Sequence, residues 1–536
     1  MKHQRDRSKD SVWSRLQGHF LQHYEPFWRL VESIPWLQFR VNRFLINRAV
    51  SCTRNRPHQF GTSADYTTWR TLTDRAHYAR HLPAADPPAG IPSPEALVAL
   101  FRRADGGAAE CPKSTLLFPA FAQYLTDGFL RTDMNARTRT TSNHEIDLSP
   151  LYGRTGAQTD ALRTRDETPG RRGRLRSQLI GGEEYPPFLY EPDSRVIAAP
   201  FRDPMGQPIL DLPLGWHGDD GHARQLFAVG GDRANATPQV AMLNTLFLRE
   251  HNRCAAELER RNPGWDDARV FETARNMVIV IFIKVVVEEY INHISSICFR
   301  LRADPRVVWG AAWNRPNWMT VEFALLYRWH PMVPDAIRWG EASVPAAAMV
   351  LDNRFLTKLG LAHALAATAA NNACALGLFN TAAFLEGVEL RGIRQGQEQR
   401  LRRYNDYRHA MGLPELDRFE EVTGDPARIA ALRQAFGSVG RMDYFVGLFA
   451  EDVNPNTPMP TLIGRMVALD AFSQALTNPL LSQHVFNATT FSPWGFEEIA
   501  KPQTLAAILA RTTPGGLPKA FDASAVRMTR SDWVRT

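Results

Sequence analysis

In the stretch EFALLYRWHPMVPD, Glu322 to Asp335, a tyrosine, a tryptophan and a histidine crowd together as Tyr327, Trp329 and His330, between an apolar run and Pro331. An imidazole nitrogen can ligate a metal, and a phenol nearby can pass an electron to an oxidised metal centre. If the segment is one continuous helix, Tyr327 and His330 stand at i and i+3 and share a face. Taken alone, a histidine in such company is more often a packed core residue than a ligand, so its neighbours elsewhere in the chain must decide.

Three further segments carry groups of the right kind. GGDRANATPQVAMLNTLFLREHNR, Gly230 to Arg253, reads as a turn holding Arg233 that enters a helix bearing Arg249, Glu250, His251 and Arg253. By itself that helix end is a solvated ion-pair surface. FAQYLTDGFLRTD, Phe121 to Asp133, puts Gln123 and Asp127 one helical turn apart on one face. NHEIDLSPLYG, Asn143 to Gly153, offers Asp147 and Ser149 in a turn-rich loop.

The elements that must hold these groups are mostly helical. Apolar residues recur at helical spacing in STLLFPAFAQYLTDGFLRTD, in TPQVAMLNTLFLREHNRCAAELERR, in DDARVFETARNMVIVIFIKVVVEEYINHISSI and in LTKLGLAHALAATAANNACALGLF, while alternating strand patterns are scarce. The fold class is therefore mainly α, with no repeat of solenoid type. MVIVIFIKVVV, Met277 to Val287, is too short to span a bilayer and carries Lys284, so it predicts a central buried helix. Proline density in PAADPPAGIPSP, Pro83 to Pro94, forbids regular structure there.

The chain has 536 residues, 44% of them hydrophobic, enough for one large core or several domains. Its formal charge of +7 comes from arginines scattered among acids, which argues against nucleic acid as a partner. Five cysteines lie far apart without metal-type spacing and read as buried thiols. The start of the chain has no apolar core of signal-peptide type, which predicts a cytoplasmic or peripheral-membrane location. Residues 11–56 interleave Trp13, Phe20, Trp28, Trp36 and Phe44 with arginines in short segments separated by prolines. This pattern suits amphipathic helices in a membrane interface, and equally a helical arm packed on the body. The division is an arm over 1–56 and a catalytic domain over 57–536.

These segments, in this order, resemble the animal-type haem peroxidase and cyclooxygenase superfamily over most of residues 60–500. LYRWHP resembles the segment of cyclooxygenases and fungal fatty-acid diol synthases that carries a radical tyrosine and the proximal histidine. GDRANATP with NTLFLREHNR resembles the peroxidase signature, and NATTFSPWGFEEI a segment near the cyclooxygenase C-terminus. The resemblance implies a cyclooxygenase-like helical catalytic domain, without the epidermal-growth-factor module, and haem b held by His330.

Position by position, Tyr327 matches the radical tyrosine, Tyr290 a tyrosine that holds its ring by a hydrogen bond, and Trp329 a channel-lining aromatic. Thr489 falls at the serine that aspirin acetylates. Arg54, with Arg48 as rival, lies near the arginine that grips a fatty-acid carboxylate. Gln123 matches the distal glutamine. Asp127 stands where the family has its distal histidine, which implies either a carboxylate doing weaker or altered acid-base work on peroxide or, with a one-residue shift, a remnant of the family's calcium site. Arg233 matches the distal arginine of peroxidases. Ala236 and Thr126 replace the ester-forming carboxylates, which implies non-covalent haem. Asp147 and Ser149 match half of the family's calcium loop, whereas Gly128 takes a ligand position, leaving calcium open. Ile297 and Ala324 depart from residues of the cyclooxygenase channel.

The implied activity is a dioxygenase that takes a hydrogen from an unsaturated fatty acid through a tyrosyl radical and then adds O2, in a protein that forms a homodimer and touches a membrane surface. Two alternatives stand beside it. One is a haem peroxygenase or hydroperoxide-processing enzyme that uses Asp127; the other is a haem- or lipid-binding protein without redox function.

Overall fold

A computed structural model describes residues 12–51, 69, 73–86, 90–104, 106–217, 220–513, 515–519 and 521–536. Among them the architecture is mainly helical, with strands confined to three two-stranded antiparallel sheets. Buried side chains from Trp28 to Met528 belong to one contiguous apolar core.

The N-terminal arm is three helices, α1 (Val12–His23), α2 (Glu25–Ser33) and α3 (Pro35–Ser51). Prolines near the starts of α2 and α3 set the breaks, because proline lacks the N–H that an interior helical turn needs. One side of α3 is docked. Ile46 and Val50 are fully buried, Asn42 exchanges hydrogen bonds with the Arg302 backbone at 2.9 and 3.0 Å, and Asn47 accepts from the Trp313 indole at 2.9 Å. The outer side leaves Tyr24, Phe27, Leu30, Trp36 and Phe44 exposed. The arm thus packs on the body with one face and presents aromatic rings with the other.

The body centres on α4 (Leu117–Phe129), α5 (Pro238–Arg261) and α6 (Asp267–Val285). Asp266 caps α6 by accepting from the Arg269 N–H, and α5 opens on Pro238, a position where the missing N–H costs nothing. From Met277 to Val287 every side chain is buried, as the apolar run requires. Each large aliphatic residue buried there contributes roughly 1.5–3 kcal/mol. The helix then winds into a π-helical stretch, Val286–Ile291, which carries Tyr290. Among the described residues no helix is long and apolar enough to cross a membrane.

α7 (Val321–Leu326) is shorter than the sequence pattern predicts. Tyr327 is its C-terminal cap, Arg328 and Trp329 are irregular, and His330–Met332 form a separate 3₁₀ turn. Pro331 accounts for the break in part, since it has no N–H to give to the Tyr327 carbonyl and an α-helix cannot run through it unbroken. The predicted long helix through residues 356–379 also divides, at Gly360, whose φ of +83° is left-handed. It yields α8 (Arg354–Leu359) and α9 (Leu361–Ala369), followed by a strand, Asn372–Cys374, paired with Glu110–Thr115. Two further helices frame the site: α10 (Glu386–Glu398), and α11 (Thr461–Leu476), which packs on α3 and α7.

Candidate active site

α7 is pinned at its first turn. Thr320 caps it by accepting from the Phe323 N–H at 3.1 Å, and the fully buried Glu322 carboxylate accepts from the His81 N–H at 3.1 Å and the Tyr407 hydroxyl at 3.0 Å. Beside it, the buried pair His81 and Asp470 meets at 2.9 Å. These bonds fix where the chain leaves the helix, and so where Tyr327 begins.

Tyr327 and His330 do not share a helical face; Trp329 joins them instead. The Tyr327 and Trp329 rings stack at 4.6 Å with 23° between planes, and the Trp329 indole donates to the Leu326 carbonyl at 2.8 Å. Trp329 also stacks on Phe118 at 5.5 Å, and Tyr290 packs against Phe118 at 5.3 Å and Phe121 at 5.5 Å. Trp329 is 5% exposed, a buried ring within this stack.

Burial, joined by the charge of Asp470, pushes the Tyr327 phenol well above its ordinary range, while Tyr290 opposes the rise. The Tyr290 hydroxyl lies close enough to couple with Tyr327, yet it is buried without a partner in hydrogen-bond geometry. The two phenols thus influence each other as a hydrogen-bonded pair does, although their geometry falls short of a strict hydrogen bond.

His330 is 22% exposed at its side chain, and its Nδ1 lies 3.2 Å from Oε1 of the fully buried Glu389 on α10. Among the described residues no hydrogen bond engages Nε2 of His330. That leaves a ring nitrogen of the kind that ligates haem iron, opposite one that faces a carboxylate.

α4 supplies the other side. It touches the Trp329 and Tyr290 stack through Phe118 and meets Phe323 of α7 through Phe129, at 6.2 Å, so Gln123 and Asp127 lie between those two contacts. Gln123 is half-buried; Asp127 is 1% exposed, and its Oδ2 has no hydrogen-bond partner. Burial raises the Asp127 carboxyl to about 7, with Arg233 and Arg131 pulling it down and Asp232 pushing it up. At that value the group can both take and give a proton near neutrality.

Arg233 donates from Nη1 to the Leu130 carbonyl at the end of α4, at 3.0 Å, and no carboxylate pairs with it among the described residues. The turn that carries it is held by Gly230, where a Cβ would stand 2.2 Å from the Gly153 nitrogen and the Ser149 oxygen. Next to it, Arg131 bonds Asp232 at 2.8 Å and Asp211 at 3.0 Å.

Other expected positions fall outside this cluster. Thr489 is exposed near a surface helix, Ala488–Phe491, with its N–H donated to Asn487, and does not reach the Tyr327 stack. Arg54 lies outside the described residues, and Arg48 is exposed over the Phe44 ring. Gly128 sits where an added Cβ would be 3.7 Å from Asp147 Oδ1 and 3.5 Å from Ser149 Oγ, so the half calcium loop does fold together. Asp147 spends its oxygens on the Ser149 N–H and the Asn143 amide, and no three metal-type side chains gather among the described residues.

The REHNR end of α5 is buried, not solvated. Glu250 is fully buried; burial pushes its carboxyl up, but hydrogen bonds from Arg253 and the Arg511 cation hold it below the usual range. A cleft of about 790 Å³ beside it, lined by Arg171, Arg174, Arg249 and Tyr190, lies away from His330, and its buried arginine, Arg249, is already paired with Glu183 at 2.8 Å.

Sequence reasoning missed Glu389 and Arg328. Glu389 sits in a helix without a motif, 59 positions beyond His330, so nothing in spacing announces the contact. Arg328, between Tyr327 and Trp329, reaches Gln395 of α10 at 3.3 Å and keeps a buried Nε without a partner.

A family profile described as animal haem peroxidase matches residues 126–386 and 388–521, well over half of the chain. Prostaglandin G/H synthase 2 of Gallus gallus is 26% identical over 495 residues, covering 90% of this chain and 78% of that protein. Its counterpart from Equus caballus is 28% identical over 487 residues, covering 88% and 76%. The solved structure of Oryza sativa fatty acid alpha-dioxygenase matches with a TM-score of 0.64 at 17% identity, over 95% of each chain. Peroxidase A from Dictyostelium discoideum matches with a TM-score of 0.65 at 16% identity, over 87% of this chain and 99% of that one. These two structures share the fold.

Proposed function

Since this chain belongs to the animal haem peroxidase family, we propose that it is a fatty-acid oxygenase in which Tyr327 is the hydrogen-abstracting residue and His330 the haem ligand. The observation that carries this reading is the stack of Tyr327 on Trp329, one residue from a histidine whose Nε2 is free and whose Nδ1 faces a buried carboxylate. The donor set fits haem b: the His330 imidazole would hold the group, and Gln123, Asp127 and Arg233, which has no carboxylate partner among the described residues, would serve ligands bound to it. The cofactor is non-covalent, because neither Ala236 nor Thr126 offers a carboxylate; the Thr126 hydroxyl donates to the Ala122 carbonyl at 3.0 Å.

Bound haem supplies the one-electron oxidising power. Tyr327 is protonated at neutral pH, as any phenol is, and burial strengthens its hold on the proton, so its oxidation must release a proton together with the electron. The resulting phenoxyl takes a hydrogen atom from an activated methylene of an unsaturated fatty acid, and O2 adds to the carbon radical. A hydrogen atom returned from Tyr327 closes the cycle, so the net change is one C–H and one O2 converted to one hydroperoxide. Phe323 and Trp329 pack against the half-buried Tyr327 ring and limit its motion. Asp127 and Arg233 serve the peroxide side, one moving a proton and the other polarising an oxygen.

The exposed rings of the arm support contact with a lipid surface, from which an acyl substrate would be drawn. The test is oxygen uptake and product mass spectrometry with linoleate and the haem-loaded protein. Uptake that persists in Tyr327→Phe would transfer support to a peroxygenase, a second reading favoured by one feature: the partnerless, buried Oδ2 of Asp127 with its carboxyl near 7.

A further inference from the structure

We propose that Glu389 is a positioning residue for the haem ligand: its carboxylate accepts the Nδ1–H of His330, fixing the tautomer and orientation that leave Nε2 to bind iron. This rests on the reading of His330 as the haem ligand. Glu389 is fully buried, and its Oε1 lies 3.0 Å from the Thr381 hydroxyl and 3.2 Å from His330 Nδ1. Its Oε2 has no partner, and neither has Nδ1 in strict hydrogen-bond geometry. Two buried groups of complementary kind are thus left unsatisfied next to each other, and a small rotation of either side chain pairs them. A carboxylate with an unused oxygen, out of contact with water, is costly unless a donor arrives, and the imidazole N–H is the donor at hand.

α10 is packed tightly on its neighbour. Gly392, one turn beyond Glu389, faces the ring of Phe445, where a Cβ would stand 2.7 Å from the nearest ring carbon, so a larger residue would push α10 away. On the same helix Gln395 accepts from Arg328, giving the Arg328–His330 segment two anchors on α10. A buried anion against the imidazole raises its basicity as a ligand, which stabilises the higher oxidation state of the metal.

The test uses the full chain loaded with haem b. Glu389→Gln keeps the side-chain volume and Glu389→Ala removes it. Both are expected to weaken haem binding by roughly 10–100-fold in Soret titrations. They should also lower the iron–histidine stretching frequency of the ferrous protein and move the reduction potential to more positive values. A stretch and a potential unchanged in both variants would make Glu389 an ordinary core carboxylate and overturn the proposal.

A second arm avoids dependence on those variants folding. In His330→Gly, free imidazole is expected to restore the haem spectrum at about a tenfold lower concentration than 1-methylimidazole, which has no N–H to give. The preference should vanish in His330→Gly/Glu389→Ala; equal affinities already in His330→Gly overturn the assignment. Wild-type protein that binds no haem would instead defeat the haem reading, and this proposal with it.

Discussion

On the His330 side of the site, each ring touches another: Tyr327 on Trp329, Trp329 on Phe118, Phe118 on Tyr290, with a carboxylate beside the imidazole. On the Asp127 side, among the described residues, there is one buried carboxyl with an oxygen unpaired, a half-buried Gln123 and an arginine that donates to a backbone carbonyl and meets no carboxylate. The first arrangement fixes positions; the second stores polarity that is unspent until something binds. The difference suits a division in which one face holds a ligand and a radical relay and the other handles protons on a substrate that comes and goes.

The largest effect that would break this comparison is on the packed side. His330→Ala is expected to lower haem affinity by about 100-fold or more and to abolish the ordinary Soret band, measured by haem titration. Next, Tyr327→Phe should keep haem and lose oxygen uptake with linoleate to background. Retained uptake would mean that the stack is packing alone.

On the polar side, Asp127→Asn should slow peroxide consumption by roughly 10²–10⁴-fold. In the wild type that rate should rise as pH passes upward through about 7, because the base must be ionised, and the variant should lose this step. Stability runs the other way. The folded carboxyl is raised from 3.8 to about 7, so its stabilising contribution is complete below about 3.8 and is lost as pH rises through about 7. Asp127→Asn should therefore raise the apo-protein Tm at pH 8, with a ceiling on the order of 4 kcal/mol, and leave it unchanged at pH 3.5.

A smaller effect concerns the arm. Replacing the exposed Trp36 and Phe44 by serine should reduce liposome partitioning severalfold while shifting stability by no more than about 0.5 kcal/mol. Smallest of all, Thr489→Val is expected to leave turnover within about twofold, since the side chain is exposed.

Helix content, the buried run from Met277 to Val287, and the pairing of Gln123 with Asp127 were legible because each depends on local periodicity. The break between Tyr327 and His330 was hidden in plain sight: Pro331 marks it, but the preceding apolar residues read as an unbroken helix. Gly360 likewise signalled the division of α8 from α9. Contacts between distant segments had no such signal. Glu389 comes to His330 from α10, remote in sequence, and the inward face of the REHNR helix end depends on Arg511, also remote. Thr489 shows the converse, a position that likeness places at a channel and that folding leaves on the surface.

The π-helical stretch Val286–Ile291 bears on how this region tolerates insertion and deletion. A wider turn accommodates one residue more than an α-helix would, so everything beyond it is out of phase with α6 by about 100°. Tyr290 lies within that slip. Removing a single residue between Val286 and Glu289 would restore a regular helix, keep the composition apolar, and turn the phenol away from its neighbour, a lesion of phase with no change in chemistry.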